Sequence, residues 1–181
     1  MTLAARAFAA LVLCAGTAQA DTAGDFDYYV LALSWSPGWC AREGAARDSE
    51  QCDTDRDLGW VLHGLWPQYE TGWPSYCPTG AAPPSRQAEA AMAEVMGSQS
   101  LAAYQWRKHG TCSGLSASDY LDAARRAFES VHRPEVLRRL KDAVTLPAEV
   151  VEEAFLEANP GWEADMVTIT CRSGRIQEAR L

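Results

Sequence analysis

The sequence is short of positive charge and of long apolar runs, and each shortage argues against a class of protein. Its 16 lysines and arginines are outnumbered by 24 aspartates and glutamates, for a net charge of −8. Tight binding of nucleic acid without sequence preference needs many cationic contacts to phosphate, so this balance argues against such a binder. It leaves room for an enzyme that holds a few nucleotides briefly. After the first twenty residues, no run is long and apolar enough to span a bilayer.

The chain begins with a pattern typical of an export signal. Arg6 supplies a positive charge, residues 8–16 an apolar core, and residues 18–20 a small-residue cleavage site. We expect cleavage after Ala20, which removes 20 of the 181 residues and leaves 161 for a single domain at 21–181. Loss of Arg6 changes the net charge from −8 to −9. The expected location is therefore the periplasm or the medium.

Cysteine usage fits an oxidising compartment. Of six cysteines, one lies in the expected signal peptide, so five remain and one of them must lack a partner within the chain. Cys40 and Cys52 enclose a polar loop. A bridge between them would contribute roughly 3 kcal/mol by restricting the unfolded chain.

Patterns of apolar residues place strands at both ends of the chain and helices between them. Aromatic and β-branched residues predict a first strand at Phe26–Trp35, and alternation predicts a second at Gly59–His63, after which Gly64 and Pro67 are expected to turn the chain. The remaining predicted elements are helices at Ser85–Met96, 101–109, Asp119–Val131, Pro134 to about Lys141 and Pro147–Ala158, and a hairpin of strands at Met166–Arg172 and Arg175–Leu181. This order predicts an α+β fold: a mainly antiparallel central sheet packed against several helices, in one disulfide-stabilised domain.

Capping residues mark several helix ends. Ser85 is a suitable N-cap for the first helix, and Gly97 closes it. Either Ser116 or Ser118 can begin the helix at Asp119–Val131. Gly110 is the expected stop of the helix at 101–109.

Two short stretches carry the candidate chemistry. The first is Gln105–Cys112 (QWRKHGTC), in which Gln105 and His109 lie one helical turn apart and Lys108 lies beside them. One turn therefore offers an imidazole, a fixed cation and an amide to the same cleft. The second is Leu62–Gln68 (LHGLWPQ), where His63 follows an apolar run and supplies a second imidazole.

Two imidazoles and an ammonium group suit acid–base cleavage of a phosphodiester. RNA supplies its own nucleophile, the 2′-hydroxyl, so cleavage needs a base for that proton, an acid for the leaving 5′-oxygen and positive charge for the phosphorane between them. Histidine titrates near pH 6.5 and can serve as either, for roughly 10²–10⁴ in rate per proton transfer. Lys108 meets the charge requirement, and Gln105 can donate a hydrogen bond to a phosphoryl oxygen. Trp66 offers a face on which a base could stack, for about 1–3 kcal/mol.

Each of these residues also has a structural interpretation when it is taken alone. A single histidine after a strand is commonly structural, a single lysine is commonly surface charge, and Trp66 alone would be a core or loop anchor. Their combination favours catalysis. The third histidine, His132, lies in an arginine-rich stretch that we interpret as a solvated basic face. No metal or other cofactor is expected, because the three histidines are scattered and the cysteines are expected to be oxidised.

Leu62–Gln68 and Trp106–Cys112 resemble the two catalytic motifs of the ribonuclease T2 family, the base-nonspecific acid endoribonucleases. The opening strand Phe26–Trp35, with the Ser-Pro pair and Cys40 after it, is also similar to the start of that family. The likeness runs from about Asp25 to the last residue and corresponds to the short bacterial form.

The resemblance implies a role for each matching residue. His63 matches the general acid, His109 the general base, Lys108 the cation that stabilises the transition state, and Trp66 a base-stacking residue. The implied reaction converts single-stranded RNA into a 2′,3′-cyclic phosphate, which is hydrolysed more slowly to a 3′-phosphate. RNA is then the only implied partner, and we expect a metal-independent monomer that does not cross a membrane.

The resemblance also implies disulfides. Cys77 and Cys112 match a bridge of the family, which would contribute roughly 3–4 kcal/mol, and a bridge from Cys40 to Cys52 fits as well. Family members usually continue with a further cysteine-bearing strand in which Cys171 would pair. We therefore expect the printed chain to be truncated at its C-terminus.

The second motif departs from the family pattern at two positions. The family commonly has His-Glu where this chain has Tyr104 and Gln105. Gln105 cannot ionise, and the phenol of Tyr104 can keep a hydrogen bond to phosphate but not a positive charge. These changes leave an alternative open: a catalytically weak relative that binds RNA or a protein. A metal-dependent nuclease is the third hypothesis, and loss of activity in EDTA would reveal it.

Overall fold

The computed structural model describes residues 21–140 and 144–181, and these residues form one α+β unit. Its elements are β1 (Tyr28–Trp35), α1 (Ser36–Trp39), β2 (Trp60–Gln68), α2 (Arg86–Met96), α3 (Gln99–Lys108), α4 (Ala117–Ser130), α5 (Ala148–Ala158), β3 (Thr168–Arg172) and β4 (Arg175–Arg180). The expected signal peptide at 1–20 and the Lys141 end of the helix predicted from Pro134 lie outside the described residues.

The four strands form one antiparallel sheet in the order β2-β1-β4-β3. The hairpin β3–β4 turns at Ser173 and Gly174, as the sequence predicts. Its second strand lies inside the sheet, because β4 pairs with β1 on one side and with β3 on the other. The predicted fold class, with a mainly antiparallel central sheet, is therefore confirmed.

The prediction that Gly64 and Pro67 turn the chain is wrong. β2 passes through both residues and pairs with β1 from Trp60 to Gln68. Proline is tolerated here because β2 is an outer strand of the described sheet, so only one of its edges takes part in the ladder.

One β-bulge interrupts this long pairing. Leu33 pairs with Leu62 and Ala32 pairs with Gly64, so His63 is the extra residue on β2. A bulge of this kind re-aims a side chain, and bulges are common beside functional sites.

The helices pack against the sheet around a buried apolar core. Its largest members include Leu33, Leu62, Trp106, Tyr120 and Phe155. Tyr120 of α4 also donates a hydrogen bond of 2.8 Å to the carbonyl of Leu65, so the core helix holds the middle of β2 directly. Burial of this phenol raises its pKa, which keeps it a neutral donor.

The helix ends agree with the predicted caps. Ser85 caps α2, Gly97 ends it at φ 80°, and Ser116 rather than Ser118 caps α4. The helix predicted from Pro134 is only a 3₁₀ turn at Glu135–Arg139, whose single buried side chain offers too little apolar contact for a longer helix.

Gly110 directly follows His109, the C-cap of α3, as predicted, but it does not adopt a left-handed conformation. The chain continues from α3 into a 3₁₀ turn at Gly110–Cys112. A Cβ on Gly110 would collide with Trp106 and Tyr120. The glycine therefore permits the tight packing that fixes the turn after His109.

Candidate active site

One open cleft of about 260 Å³ collects the predicted site residues where α3 ends beside β2. Six of its lining residues are those singled out from the sequence: His63, Trp66, Tyr104, Gln105, Lys108 and His109. Three others were not predicted: Gln68, Trp73 and Arg180. The third histidine, His132, lies outside this cleft on the surface after α4.

His63 presents one nitrogen to the protein and the other to the cleft. Its Nδ1 lies 2.6 Å from Oε1 of Glu178, and its side chain is 28% exposed. Because the carboxylate accepts from Nδ1–H, the contact selects the tautomer that leaves Nε2 available to a ligand. His63 is the bulged residue of β2, and a bulge commonly re-aims a side chain.

Glu178 is buried, with a side chain only 3% exposed, and both of its carboxylate oxygens are used. Oε1 contacts His63, while Oε2 accepts from Nε and Nη2 of Arg180 at 3.3 and 3.2 Å. Burial alone would raise the pKa of Glu178. The hydrogen bond and charge of His63, together with the charge and hydrogen bond of Arg180, outweigh burial and lower that pKa below its ordinary value.

Trp66 lies between the two histidines. Its ring centroid is 5.3 Å from that of His63 in an edge-to-face contact and 5.2 Å from that of His109 in a stacked contact at 23°. One indole therefore contacts both imidazoles, which brings residues 46 positions apart in sequence to one cleft.

A buried amide fixes the indole. Trp66 Nε1 donates to Oε1 of Gln105 at 2.8 Å, and Gln105 is 1% exposed. The indole nitrogen is only a donor, so the amide oxygen must face it. A Cβ on Gly64 would collide with both of these atoms, so glycine is required where the two side chains meet.

His109 is held as an uncharged imidazole. Burial, followed by the charges of Lys108 and His63, lowers the pKa of His109 to about 3. Its Nδ1 is buried without a hydrogen-bond partner among the described residues. Nε2 is thus the nitrogen left to contact a substrate, and the ring as a whole is uncharged at pH values above about 3.

Lys108 and Tyr104 form the outer wall of the cleft on α3. The Lys108 ammonium lies 6.0 Å from the centre of the Tyr104 ring, and Arg107 approaches that ring at 5.9 Å. Positive charge is therefore gathered at the C-terminal end of α3, where the helix dipole stabilises cations.

The long loop at 69–85 is fastened to the end of α3. The structure contains the bridge Cys77–Cys112, and Tyr76 N donates to the carbonyl of Lys108 at 2.8 Å. These ties hold Trp73, which is 61% exposed, at the mouth of the cleft. The other predicted bridge, Cys40–Cys52, is also present, whereas Cys171 is an exposed free thiol.

Sequence reasoning missed Glu178, Arg180, Gln68 and Trp73. Glu178 and Arg180 are two residues apart in the predicted last strand, so their side chains lie on the same face. A charged pair on one face of a strand was the feature that could have pointed to these two residues. Nothing local connects that strand with His63, because the partners are 115 residues apart. Gln68 ends the first motif, and Trp73 belongs to a loop whose position no periodicity indicates.

Metal and membrane features can be reported for residues 21–140 and 144–181 only. Within them, no group of three or more histidine, cysteine, aspartate or glutamate side chains is placed to hold a metal ion. No helix of that part of the chain is both long and apolar enough to traverse a bilayer.

The architecture is that of a known class of α+β ribonucleases. Trichomaglin, described as an S-like ribonuclease, superposes with a TM-score of 0.67 at 21% identity over 86% of each chain. The self-incompatibility-associated SF11-RNase of Nicotiana alata gives a TM-score of 0.63 at 18% identity over 86% of this chain and 85% of that one. At such identities the likeness establishes the fold.

The chain belongs to the Ribonuclease T2 family, whose sequence model matches residues 26–173. A ribonuclease of Aeromonas hydrophila is 46% identical over 130 residues, which cover 70% of this chain and 58% of that protein. A probable ribonuclease of Haemophilus influenzae is 32% identical over 120 residues, covering 60% of this chain and 44% of its own length. The chain thus spans about half the length of these relatives.

Proposed function

We propose that the protein is a metal-independent endoribonuclease that cleaves single-stranded RNA by transphosphorylation. The 2′-oxygen attacks phosphorus, the bond to the 5′-oxygen breaks, and a 2′,3′-cyclic phosphate forms. Slower hydrolysis then yields a 3′-phosphate. Membership of the ribonuclease T2 family supports the reaction class.

One observation carries the assignment of acid and base: the two histidines of one cleft have opposite electrostatic surroundings. His63 faces the buried carboxylate of Glu178, whose Oε1 lies 2.6 Å from its Nδ1. No carboxylate of the described residues faces His109, and burial, followed by the charges of Lys108 and His63, lowers its pKa. Groups whose environments differ in this way can act as acid and base at the same pH.

In this mechanism His109 takes the 2′-hydroxyl proton and His63 protonates the departing 5′-oxygen. Lys108 lies next to the base and stabilises the charge on the phosphorane. The rings of His63 and His109 both contact Trp66, so a phosphate seated over the indole edge would have one imidazole on each side. The exposed part of the cleft, with Tyr104 and Trp73, offers aromatic faces for bases.

The test is product analysis on a dinucleotide in the presence of EDTA. The wild type should release a 2′,3′-cyclic phosphate, and His63→Ala and His109→Ala should each lose roughly 10²–10⁴ in rate. His132→Ala is the matched control, since this exposed histidine lies outside the cleft and its loss should change nothing. Equal, slow cleavage by the wild type and both cleft variants would refute the enzyme assignment, and loss of activity in EDTA would refute metal independence.

A second candidate function is binding without efficient catalysis. Gln105 and Tyr104 favour it, because neither side chain supplies the charge that the family commonly has at these positions. In that case the protein should bind a non-cleavable 2′-deoxy oligonucleotide while showing no multiple turnover on RNA. Binding of that oligonucleotide together with rapid turnover would exclude this alternative.

We further propose that the protein is exported as a monomer, with residues 1–20 as its signal peptide and 21–181 as the catalytic domain. Two disulfides and the apolar start of the sequence support export. N-terminal sequencing of the protein from the periplasm or medium should begin at Asp21, and retention in the cytoplasm would contradict the proposal.

A further inference from the structure

We propose that Glu178 is a positioning residue for His63: it fixes the tautomer and the orientation of the imidazole, and Arg180 holds Glu178 in place. This inference rests on the proposed function, in which His63 is the acid. It adds two residues outside both motifs, Glu178 and Arg180, that hold His63 in place. His63 and Glu178 are 115 residues apart in sequence and 2.6 Å apart in the structure.

The contact is well suited to orient a ring. Glu178 is 2% exposed and lies in the interior strand β4, where its backbone pairs with Ser34 of β1 and Thr170 of β3. A carboxylate on such a strand has little freedom to move. The donor side is equally constrained, because His63 is the bulged residue of β2.

Arg180 completes the arrangement. It donates twice to the second oxygen of Glu178, at 3.3 and 3.2 Å, so the carboxylate cannot rotate away from His63 without losing those bonds. The same guanidinium lies 5.7 Å from the centre of the Trp66 ring and lines the cleft. Arg180 therefore joins the carboxylate behind His63 to the indole beside it.

Among the described residues, the titratable groups that face His63 come from two elements. Glu178 and Arg180 approach from β4, and Lys108 and His109 approach from the end of α3. Glu178 is the only anion among these four. Removing its charge leaves His63 facing the cations Lys108 and Arg180 with no anion in this group, which disfavours the charged ring that the proposed acid role needs.

The first measurement is made on the wild-type protein. In uniformly ¹⁵N-labelled wild-type protein, long-range ¹H–¹⁵N spectra report which nitrogen of neutral His63 carries the proton, with His63→Ala providing the assignment. We expect the Nδ1–H tautomer. An Nε2–H tautomer would overturn the proposal outright.

The second measurement compares Glu178→Gln with Glu152→Gln. Glu152 accepts from Ile169 N at 2.8 Å, so its variant makes the same chemical change in another partly buried hydrogen bond, away from the cleft. In Glu178→Gln, the alkaline limb of kcat should move to lower pH. Above that limb, kcat should fall roughly tenfold or more with little change in KM. Glu152→Gln should change neither.

The outcomes separate this inference from the proposed function. An unmoved alkaline limb together with an unchanged kcat in folded Glu178→Gln overturns the positioning role even if RNA is cleaved normally by the wild type. Cleavage that survives His63→Ala overturns the proposed function, whatever the tautomer. If Glu178→Gln does not fold, the tautomer of the wild type decides the question alone.

Discussion

Replacing Gln105 by glutamate tests how the environment of His109 controls the reaction. Gln105 is buried and accepts a hydrogen bond from Trp66, and a carboxylate of the same shape can accept that bond too. The substitution therefore adds one negative charge while keeping the geometry. A nearby anion favours the protonated imidazole, so the pKa of His109 should rise from its value of about 3.

The size of the rise follows from the helix. Side chains four residues apart lie roughly 5–6 Å from each other. At an effective dielectric constant of about 20, a unit charge at that distance is worth roughly 3 kcal/mol, or roughly two pKa units. The imidazole would then titrate near pH 5 and be a stronger base above it. If half of the gain in basicity is expressed in the transition state, cleavage should accelerate roughly tenfold.

The assay is the pH dependence of single-turnover cleavage of a dinucleotide, from acid to neutral pH. The acid limb reports protonation of the base, so it should move upward by roughly two units in Gln105→Glu. NMR titration of the His109 ring should show the same displacement.

Gln51→Glu is the matched control. Gln51 is likewise a buried amide, whose Nε2 donates to Ser36 at 2.9 Å, and it lies outside the cleft. Its variant should lose stability to a similar degree while keeping the wild-type acid limb. An acid limb that stays in place in Gln105→Glu, or a slower rate at every pH, would refute the electrostatic reasoning and show that the amide itself is optimal.

Three further predictions concern stability. Gly64→Ala should lower the free energy of urea unfolding by roughly 1–3 kcal/mol and impair cleavage, because the new Cβ displaces the indole–amide hydrogen bond; Gly80→Ala, which meets no neighbouring atom, should do neither. Ser116→Ala should cost about 1 kcal/mol in the same assay and Ser118→Ala almost nothing, and equal losses would contradict the assigned cap. His109→Phe should resist acid better than the wild type. The pKa of His109 is near 6.5 in the unfolded chain and near 3 in the folded protein. Between these two pH values the unfolded wild type binds more protons than the folded protein, so the free energy of unfolding of the wild type falls as the pH falls. Between pH 7 and pH 4 the wild type should lose about 3 kcal/mol more than the variant, and equal losses would show that His109 is not kept uncharged by the fold.

Much of the site is determined by local sequence. The spacing of Gln105, Lys108 and His109 is a property of one helical turn, so any folded form that keeps α3 presents them together. The capping residues and the hairpin at Ser173 and Gly174 are local in the same sense. Such features depend on interactions within a few residues, which is why periodicity and turn chemistry predict them.

Other features were decided only by tertiary structure. Local rules expected a turn at Gly64 and Pro67, but pairing with β1 extends β2 through both residues. The bulge at His63 comes from that pairing, and the carboxylate of Glu178 reaches His63 only because β4 lies next to β1 in the sheet. The low pKa of His109 likewise arises from burial that no pattern in its own helix reveals. Strand order and burial depend on contacts between distant segments of the chain, which local patterns do not report. The sequence by itself determined which chemical groups were available. The packing of the sheet against α3 decided which of these groups became charged, neutral or oriented.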